Sequence, residues 1–192
     1  MRTIVFDFDR TLTNYDTLTS MYLWKVKNNH RLFLIYPLIY IFKSLSKFHL
    51  ISLEKEKNIL INIFIAKNEK QFIEECTEFS KKIILNTLCN ILHKEIIEGS
   101  KVIIISASPE IYIENVLSNC DVIGLVVKNR VNRLKITQHP YGETKLNILK
   151  SNGIYEIDEF YFDSKSDMSV LPICNMAFKV KNGKIIKSFC KI

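Results

Sequence analysis

Thr3-Ile4-Val5-Phe6-Asp7-Phe8-Asp9-Arg10-Thr11 opens with four residues that are β-branched or aromatic and then runs directly into two acids. A continuous run of this kind predicts a strand buried on both faces of a parallel sheet. Alternate residues of an extended segment project to the same side, so Asp7 and Asp9 can face one substrate. Two carboxylates placed there can divide the labour, one as nucleophile and one as general acid/base. A pair of acids that merely solvates a turn would read the same way, so the stretch needs company.

Two further runs share its design. Lys101-Val102-Ile103-Ile104-Ile105 runs into Ser106-Ala107-Ser108, and Glu159-Phe160-Tyr161-Phe162 runs into Asp163. In open α/β sheets the ligand crevice lies beyond the carboxyl ends of the strands, so three polar strand ends predict one shared site. Ser106 offers a hydroxyl for ligand contact. Ser108-Pro109-Glu110 predicts an N-cap, a first helical residue and an acid in the first turn of a helix to about residue 117. The Ala107 and Ser108 amides would then lie at a helix N-terminus, a ready anion site.

Residues 143–150 predict a short helix closed by Ser151-Asn152-Gly153, and Lys145 early in it can place a point charge on a phosphate. Asp163-Ser164-Lys165-Ser166-Asp167 sets two acids four residues apart, and hard oxygen ligands beside a phosphate suit Mg²⁺. Taken singly, the lysine could be a solvated surface residue and the last segment an Asp- and Ser-rich turn. In conjunction, D-x-D-x-T, S-x-S, Lys and D-x-x-x-D in that order are far more specific.

The rest of the chain predicts a strand over 122–127 and either a closing hairpin from 176–180 and 184–186 around Asn182-Gly183 or one irregular strand there. From Thr13 to about Glu98 the pattern is helical, with apolar residues at three- and four-residue spacing such as Ile59, Ile63 and Ile73, then Ile83, Thr87 and Ile91. The predicted fold is therefore α/β: a Rossmann-like parallel sheet core from 1–13 and 95–192, with a helical cap, 14–94, inserted after the first strand.

The 192 residues carry 27 Lys and Arg against 20 Asp and Glu, a formal charge of +7, and 47% are hydrophobic. That hydrophobic share excludes a disordered chain. Five scattered Cys with no C-x-x-C pair argue against a disulfide framework or zinc knuckle and predict a reducing compartment. The opening residues lack the apolar region of a signal peptide. Most of the surplus charge falls between Thr17 and Leu60, which holds seven basic residues and only two acids, Glu54 and Glu56. The most apolar run, Leu32 to Phe42, lies in the same segment; it is too short to span a bilayer, which needs about 20 residues. It predicts a buried cap helix, a lipid-chain pocket or an interfacial segment, and apolar anchors beside Lys and Arg suit contact with an anionic membrane surface. Nucleic acid is disfavoured, because no base-stacking motif or reader module is present. The sequence leaves the oligomeric state open.

These residues resemble the four motifs of the haloacid dehalogenase superfamily, over nearly the whole chain. The long helical stretch after the first motif resembles the cap of subfamily I, and the S-A-S-P-E text resembles the phosphoserine phosphatase-like branch, subfamily IB. Thr11-Leu12-Thr13 with Asp16-Thr17, the apolar-basic cap and Tyr141-Gly142-Glu143-x-Lys145 are similar to phosphatidylglycerophosphatase C-type proteins. The resemblance implies that Asp7 attacks phosphorus and becomes an aspartyl phosphate while Asp9 protonates the leaving alcohol and later deprotonates water. It implies that Thr11, Ser106 and the Ala107 and Ser108 amides surround the phosphoryl group, with Lys145 neutralising charge. Mg²⁺ would be held by Asp7, the Asp9 carbonyl and Asp163, with Asp167 binding through water or orienting Lys145. Two positions depart from the pattern: Arg10 stands where a small residue is usual, and Phe162 where a Gly often precedes the metal-binding acid. Arg10 could crowd the site or add a cation for an anionic head group. Asp16 could face the substrate or simply cap a helix. The expectation is a Mg²⁺-dependent phosphomonoesterase acting on a lipid or lipid-linked phosphate at the cytoplasmic membrane face. The alternatives are the same chemistry on a soluble metabolite such as phosphoserine or a sugar phosphate, and a non-catalytic phosphate- or lipid-binding module.

Overall fold

In the computed structural model, which describes residues 1–131 and 133–190, the elements follow in this order: β1 (Thr3–Phe6), α1 (Thr17–Asn28), α2 (His30–Phe33), α3 (Pro37–Lys47), α4 (Leu53–Leu60), a π-helical turn (Ile61–Ile65), α5 (Glu69–Ser80), α6 (Cys89–Ile97), β2 (Lys101–Pro109), α7 (Glu110–Val116), β3 (Asp121–Arg130), β4 (Arg133–Gln138), α8 (Glu143–Ser151), β5 (Ile157–Phe162), a 3₁₀ segment (Lys165–Ile173), β6 (Cys174–Lys181) and β7 (Lys184–Cys190). The seven strands form one sheet in the order β4-β3-β2-β1-β5-β6-β7. Its inner pairs are parallel, and both edges, β4 and β7, are antiparallel. The fold is thus the expected α/β, Rossmann-like one.

The buried runs behave as their composition demands. Ile4 and Phe6 of β1, with Val102 and Ile104 of β2, face the core shared with α1, α4, α5 and α6. Val5, Ile103 and Ile105 face the opposite layer, with Leu149 of α8 and Phe160 and Phe162 of β5. A strand covered on both faces needs apolar side chains at successive positions, which is why these runs do not alternate. β1 sits between β2 and β5, where the order of connection reverses, so the carboxyl ends of these three strands open on one crevice.

Three readings of the sequence are corrected. β2 does not end at Ile105 but continues through Pro109, which pairs with Leu125 of β3, so Ser108 is not an N-cap and Pro109 is not the first helical residue. Helix α7 starts at Glu110 without a side-chain cap, and the Glu110 carboxylate instead accepts from the Gly124 amide at 2.8 Å. A Cβ at Gly124 would stand 2.5 Å from the Glu110 Cα, so the close approach of α7 to β3 depends on that glycine.

Residues 81–88 are not helical. The Asn86 amide donates to the Leu12 carbonyl at 2.8 Å, and its side chain to the Thr11 and Thr13 carbonyls. These bonds hold the segment against the loop that follows β1, and Ile83 and Thr87 consequently share no helix face. Within α4, the π-turn and α5 the buried stripe is Leu60, Ile61, Phe64, Phe72, Cys76 and Phe79; Ile73 is exposed.

The run from Leu32 to Phe42 is broken where its proline predicts a break: α2 ends at Phe33 and α3 starts with Pro37 as first residue. Ile39 is buried, while Phe33, Leu34, Tyr36, Tyr40 and Ile41 are exposed, so this is not an ordinary buried helix. No helix among the described residues is long and apolar enough to cross a membrane. The closing hairpin forms as expected, with Asn182 and Gly183 both at positive φ, as a tight two-residue turn requires. β4, whose burial alternates along Arg133–Gln138, is an additional strand that pairs with β3.

Candidate active site

Asp7 follows β1, and its backbone amide donates to the Tyr161 carbonyl at 2.8 Å, so sheet pairing with β5 carries on past the strand end and fixes the side chain's direction. One carboxylate oxygen accepts from Lys145 Nζ at 2.6 Å and the other from the Thr11 hydroxyl at 3.1 Å. Lys145, in the first turn of α8, lies equally close, 2.6 Å, to Asp167. Asp7 is 5% and Lys145 2% exposed. Asp167 also accepts from Ser164 at 3.0 Å. Thr11 is wholly buried behind Asp7 and braces it without lining the cavity.

The oxygens of Asp7, Asp163 and Asp167 come within 4.8 Å of one another. Three hard carboxylates at this spacing fit a divalent cation that keeps several waters, and Mg²⁺ is such an ion. Burial is the largest influence on Asp7 and pushes its carboxyl up to about 8, against the attraction of Lys145. Burial and then Asp167 raise Asp163 to about 6, with Arg10 and Lys145 opposing. Burial alone would lower Lys145, but Asp7 and Asp167 together hold its ammonium above the usual lysine range. The site is therefore short of positive charge, which an incoming cation would supply.

Asp9 takes a different direction. Its carboxylate accepts from the Thr17 amide at 2.7 Å, from the Thr17 hydroxyl at 2.6 Å and from the Ser108 hydroxyl. It lines the same cavity as Asp7 but stands outside the three-carboxylate cluster, and burial raises its pKa, with Asp16 adding to the effect. Ser108 thus serves Asp9 rather than a helix end. Ser106 is buried to 1% exposure, and its hydroxyl accepts from the Ser108 amide at 3.1 Å while lining the cavity with Ala107.

The cavity has a volume of about 190 Å³. Arg10, exposed and at φ +59°, lies on its wall and also on a neighbouring surface groove beside Asp163 and Lys179. Asp16 caps α1 by accepting from the Thr19 amide at 2.7 Å, and it also lines the cavity. Burial works to raise Asp16, but Lys43 and the Thr19 bonds outweigh it and hold the carboxyl low.

Residues that sequence reasoning did not place here come from the helical segment. Lys57 of α4 donates to the Ala107 carbonyl at 2.6 Å, and burial lowers its pKa. Lys43 of α3 donates to the Thr19 hydroxyl at 2.7 Å and stands 3.9 Å from Glu56. Tyr22 of α1 lines the cavity with a buried hydroxyl that has no hydrogen-bond partner among the described residues. The available signal was Lys57, a charge on the stripe that leads into Leu60, Ile61 and Phe64.

A family model described as haloacid dehalogenase-like hydrolase matches residues 4–172. Among solved structures, a protein of unknown function from Bordetella pertussis Tohama I is similar over 90% of this chain and 86% of its own, at 16% identity and TM-score 0.72. A phospho-aspartyl intermediate analogue of phosphoserine phosphatase is similar over 93% and 85%, at 16% identity and TM-score 0.61. A phosphoserine phosphohydrolase-like protein from Francisella tularensis is similar over 93% and 87%, at 15% identity and TM-score 0.64. No curated protein matches the chain.

Proposed function

We propose, since the chain belongs to the haloacid dehalogenase-like hydrolase family, that it is a phosphomonoesterase working through an aspartyl phosphate on Asp7. The observation that carries this reading is the setting of Asp7. One oxygen is held by Lys145 and the other by Thr11, at the mouth of a cavity walled by Ser106, Ala107 and Asp163. An Asp7 oxygen attacks phosphorus as the bond from phosphorus to the leaving oxygen breaks. Asp9, whose pKa is raised by burial, gives a proton to that leaving oxygen. It then takes a proton from the water that attacks the aspartyl phosphate, releasing inorganic phosphate and restoring Asp7. Ser106 and the Ala107 amide hold the phosphoryl oxygens, whose charge Lys145 offsets, while the Ser108 amide is already bonded to the Ser106 hydroxyl. Thr17 and Ser108 fix the rotamer of Asp9.

The cluster of Asp7, Asp163 and Asp167 fits Mg²⁺; Asp7 and Asp163 would hold it directly, with the Asp9 carbonyl as the further ligand that the family resemblance implies and Asp167 beside them. When bound, the ion would neutralise phosphoryl charge and align the ester for in-line attack. Residues 14–94 act as a helical cap that supplies Asp16, Tyr22, Lys43 and Lys57 to the cavity.

The substrate we favour is a lipid or lipid-linked phosphate at the cytoplasmic membrane face, as in phosphatidylglycerophosphatase C-type proteins, on the strength of the exposed apolar and basic residues of α2 and α3. A second reading, a soluble phosphate ester, draws on the small cavity of about 190 Å³ with charges of both signs in its wall, and on the phosphoserine phosphatase neighbours. The test of the chemistry is Mg²⁺-dependent release of phosphate from a generic aryl phosphate, lost in Asp7→Asn. No release with Mg²⁺ present would favour a binding module. Comparison of soluble with lipid phosphates, in the absence of detergent, decides between the two substrates.

A further inference from the structure

We infer that the tip formed by α2, α3 and the loop after α3 is a docking face for an anionic phospholipid bilayer, and that it delivers the substrate's head group to the catalytic cavity along a basic groove. The inference rests on the lipid-phosphate reading for its purpose, but not for its geometry.

Leu34 is 85%, Phe48 72%, Leu50 70% and Phe33 63% exposed, with Tyr40 and Ile41 about half exposed. Its aromatic part is continuous: the Phe33 and Tyr36 rings lie 5.7 Å apart and the Tyr36 and Tyr40 rings 6.2 Å apart. Tyr36, just before α3, shares one solvent-facing stripe with Tyr40 and Lys47, while Ile39 and Phe42 turn inward. Contiguous apolar exposure of this kind marks an interaction surface.

Charge identifies the occupant. From Thr17 to Leu53 the chain contains no acidic residue. Lys25 is paired with Glu75, and Lys43 stands near Asp16 and Glu56. Lys27, Arg31 and Lys47 are exposed and form no ion pair among the described residues. Aromatic and aliphatic side chains ringed by unpaired cations match the boundary between acyl chains and anionic head groups.

The basic end of α3 leads inward. Lys43, Lys47, His49 and Leu53 line a groove of about 540 Å³, and Lys43, Leu53, Glu56 and Tyr141 also line the catalytic cavity. A head group entering from a membrane seated on Tyr36 and Tyr40 would pass Lys47 and then Lys43 on its way to Asp7.

The experiment is co-sedimentation of the full chain with phosphatidylcholine vesicles, with and without phosphatidylserine. The wild type is expected to bind the anionic vesicles, more weakly as salt rises. Leu34→Glu/Ile41→Glu is expected to lower binding by roughly tenfold or more, with hydrolysis of a soluble aryl phosphate unchanged. A wild type that stays in the supernatant at low salt, or a double variant that binds equally, overturns the inference. So does a dimer in light scattering that the double variant abolishes, which would assign the face to a second copy. Vesicle binding by both the wild type and Asp7→Asn, with no phosphatase activity in either, upholds the face and rejects the catalytic reading. Activity without vesicle binding does the reverse.

Discussion

Lys145 Nζ donates to Asp7 Oδ1 across 2.6 Å, with both side chains almost wholly removed from solvent. Its other contact, Asp167, leaves one cation between two carboxylates. Removing that cation strands both acids. Lys145→Met is expected to lower stability by about 3 kcal/mol and turnover by roughly 10²–10³. Thermal unfolding without metal reads the first effect, and steady-state hydrolysis of an aryl phosphate the second. A variant that melts with the wild type would show that the pair contributes nothing net to the fold.

Asp7, near 8, and Asp163, near 6, are both raised by burial, so a cation that favours their ionised forms must expel protons on binding. Mg²⁺ should therefore raise the melting temperature more at about pH 8 than at about pH 5. In the metal-free protein the sign reverses. An acid whose folded pKa exceeds its unfolded value gains proton-linked stability as pH falls through the folded value, so these groups should favour folding more at about pH 6 than at about pH 8. A shift with Mg²⁺ that does not depend on pH would place the ion elsewhere.

Lys57 joins α4 to the end of β2 that holds Ser106, through the Ala107 carbonyl at 2.6 Å. Lys57→Met should reduce kcat/KM by roughly tenfold or more, mainly through KM, if the tie positions the Ala107 amide proposed to hold phosphate. Unaltered kinetics would mean that Ser106 and its neighbours hold their geometry without help from the helical segment.

Arg10 holds φ +59° without being glycine. Left-handed backbone costs an L-residue about 1–2 kcal/mol, so Arg10→Gly should raise the melting temperature. It should also raise the pKa of Asp163, since Arg10 is the first of the charges that oppose its rise. Unfolding of the variant and its Mg²⁺ dependence against pH check both.

Gly124→Ala would drive a Cβ to 2.5 Å from the Glu110 backbone. Displacing α7 from β3 should cost about 1–3 kcal/mol, the usual range for overpacking, visible in denaturant unfolding with little change in KM.

The strand ends were legible because burial on both faces forces unbroken apolar runs, and the polar residue that ends each run must face the crevice. Asp7, Ser106 and Asp163 therefore stand out, Lys145 and Asp167 join them only through the order of the motifs, and the structure brings all five to one cavity. The contribution of the helical segment was less visible. Lys57 and Tyr22 reach the cavity only through the packing of α1 and α4, which no local pattern encodes. Ser108 was misread because Ser-Pro-Glu satisfies the local rules for a helix start. Tertiary pairing of Pro109 with Leu125 overrides those rules and frees the hydroxyl for Asp9. Residues 81–88 failed as a helix for a similar reason, since Asn86 bonds to residues more than seventy positions earlier in the chain.

Asn86 draws the outward and returning stretches of chain together beside Leu12, so whatever lies between them starts and finishes at one point on the rim of the sheet. Because its ends meet there, each doubling of its length adds only about 0.6 kcal/mol of closure entropy. Its length is thus free to vary, while Thr17 and Lys57, which bond Asp9 and the Ala107 carbonyl, tie it to the strand ends.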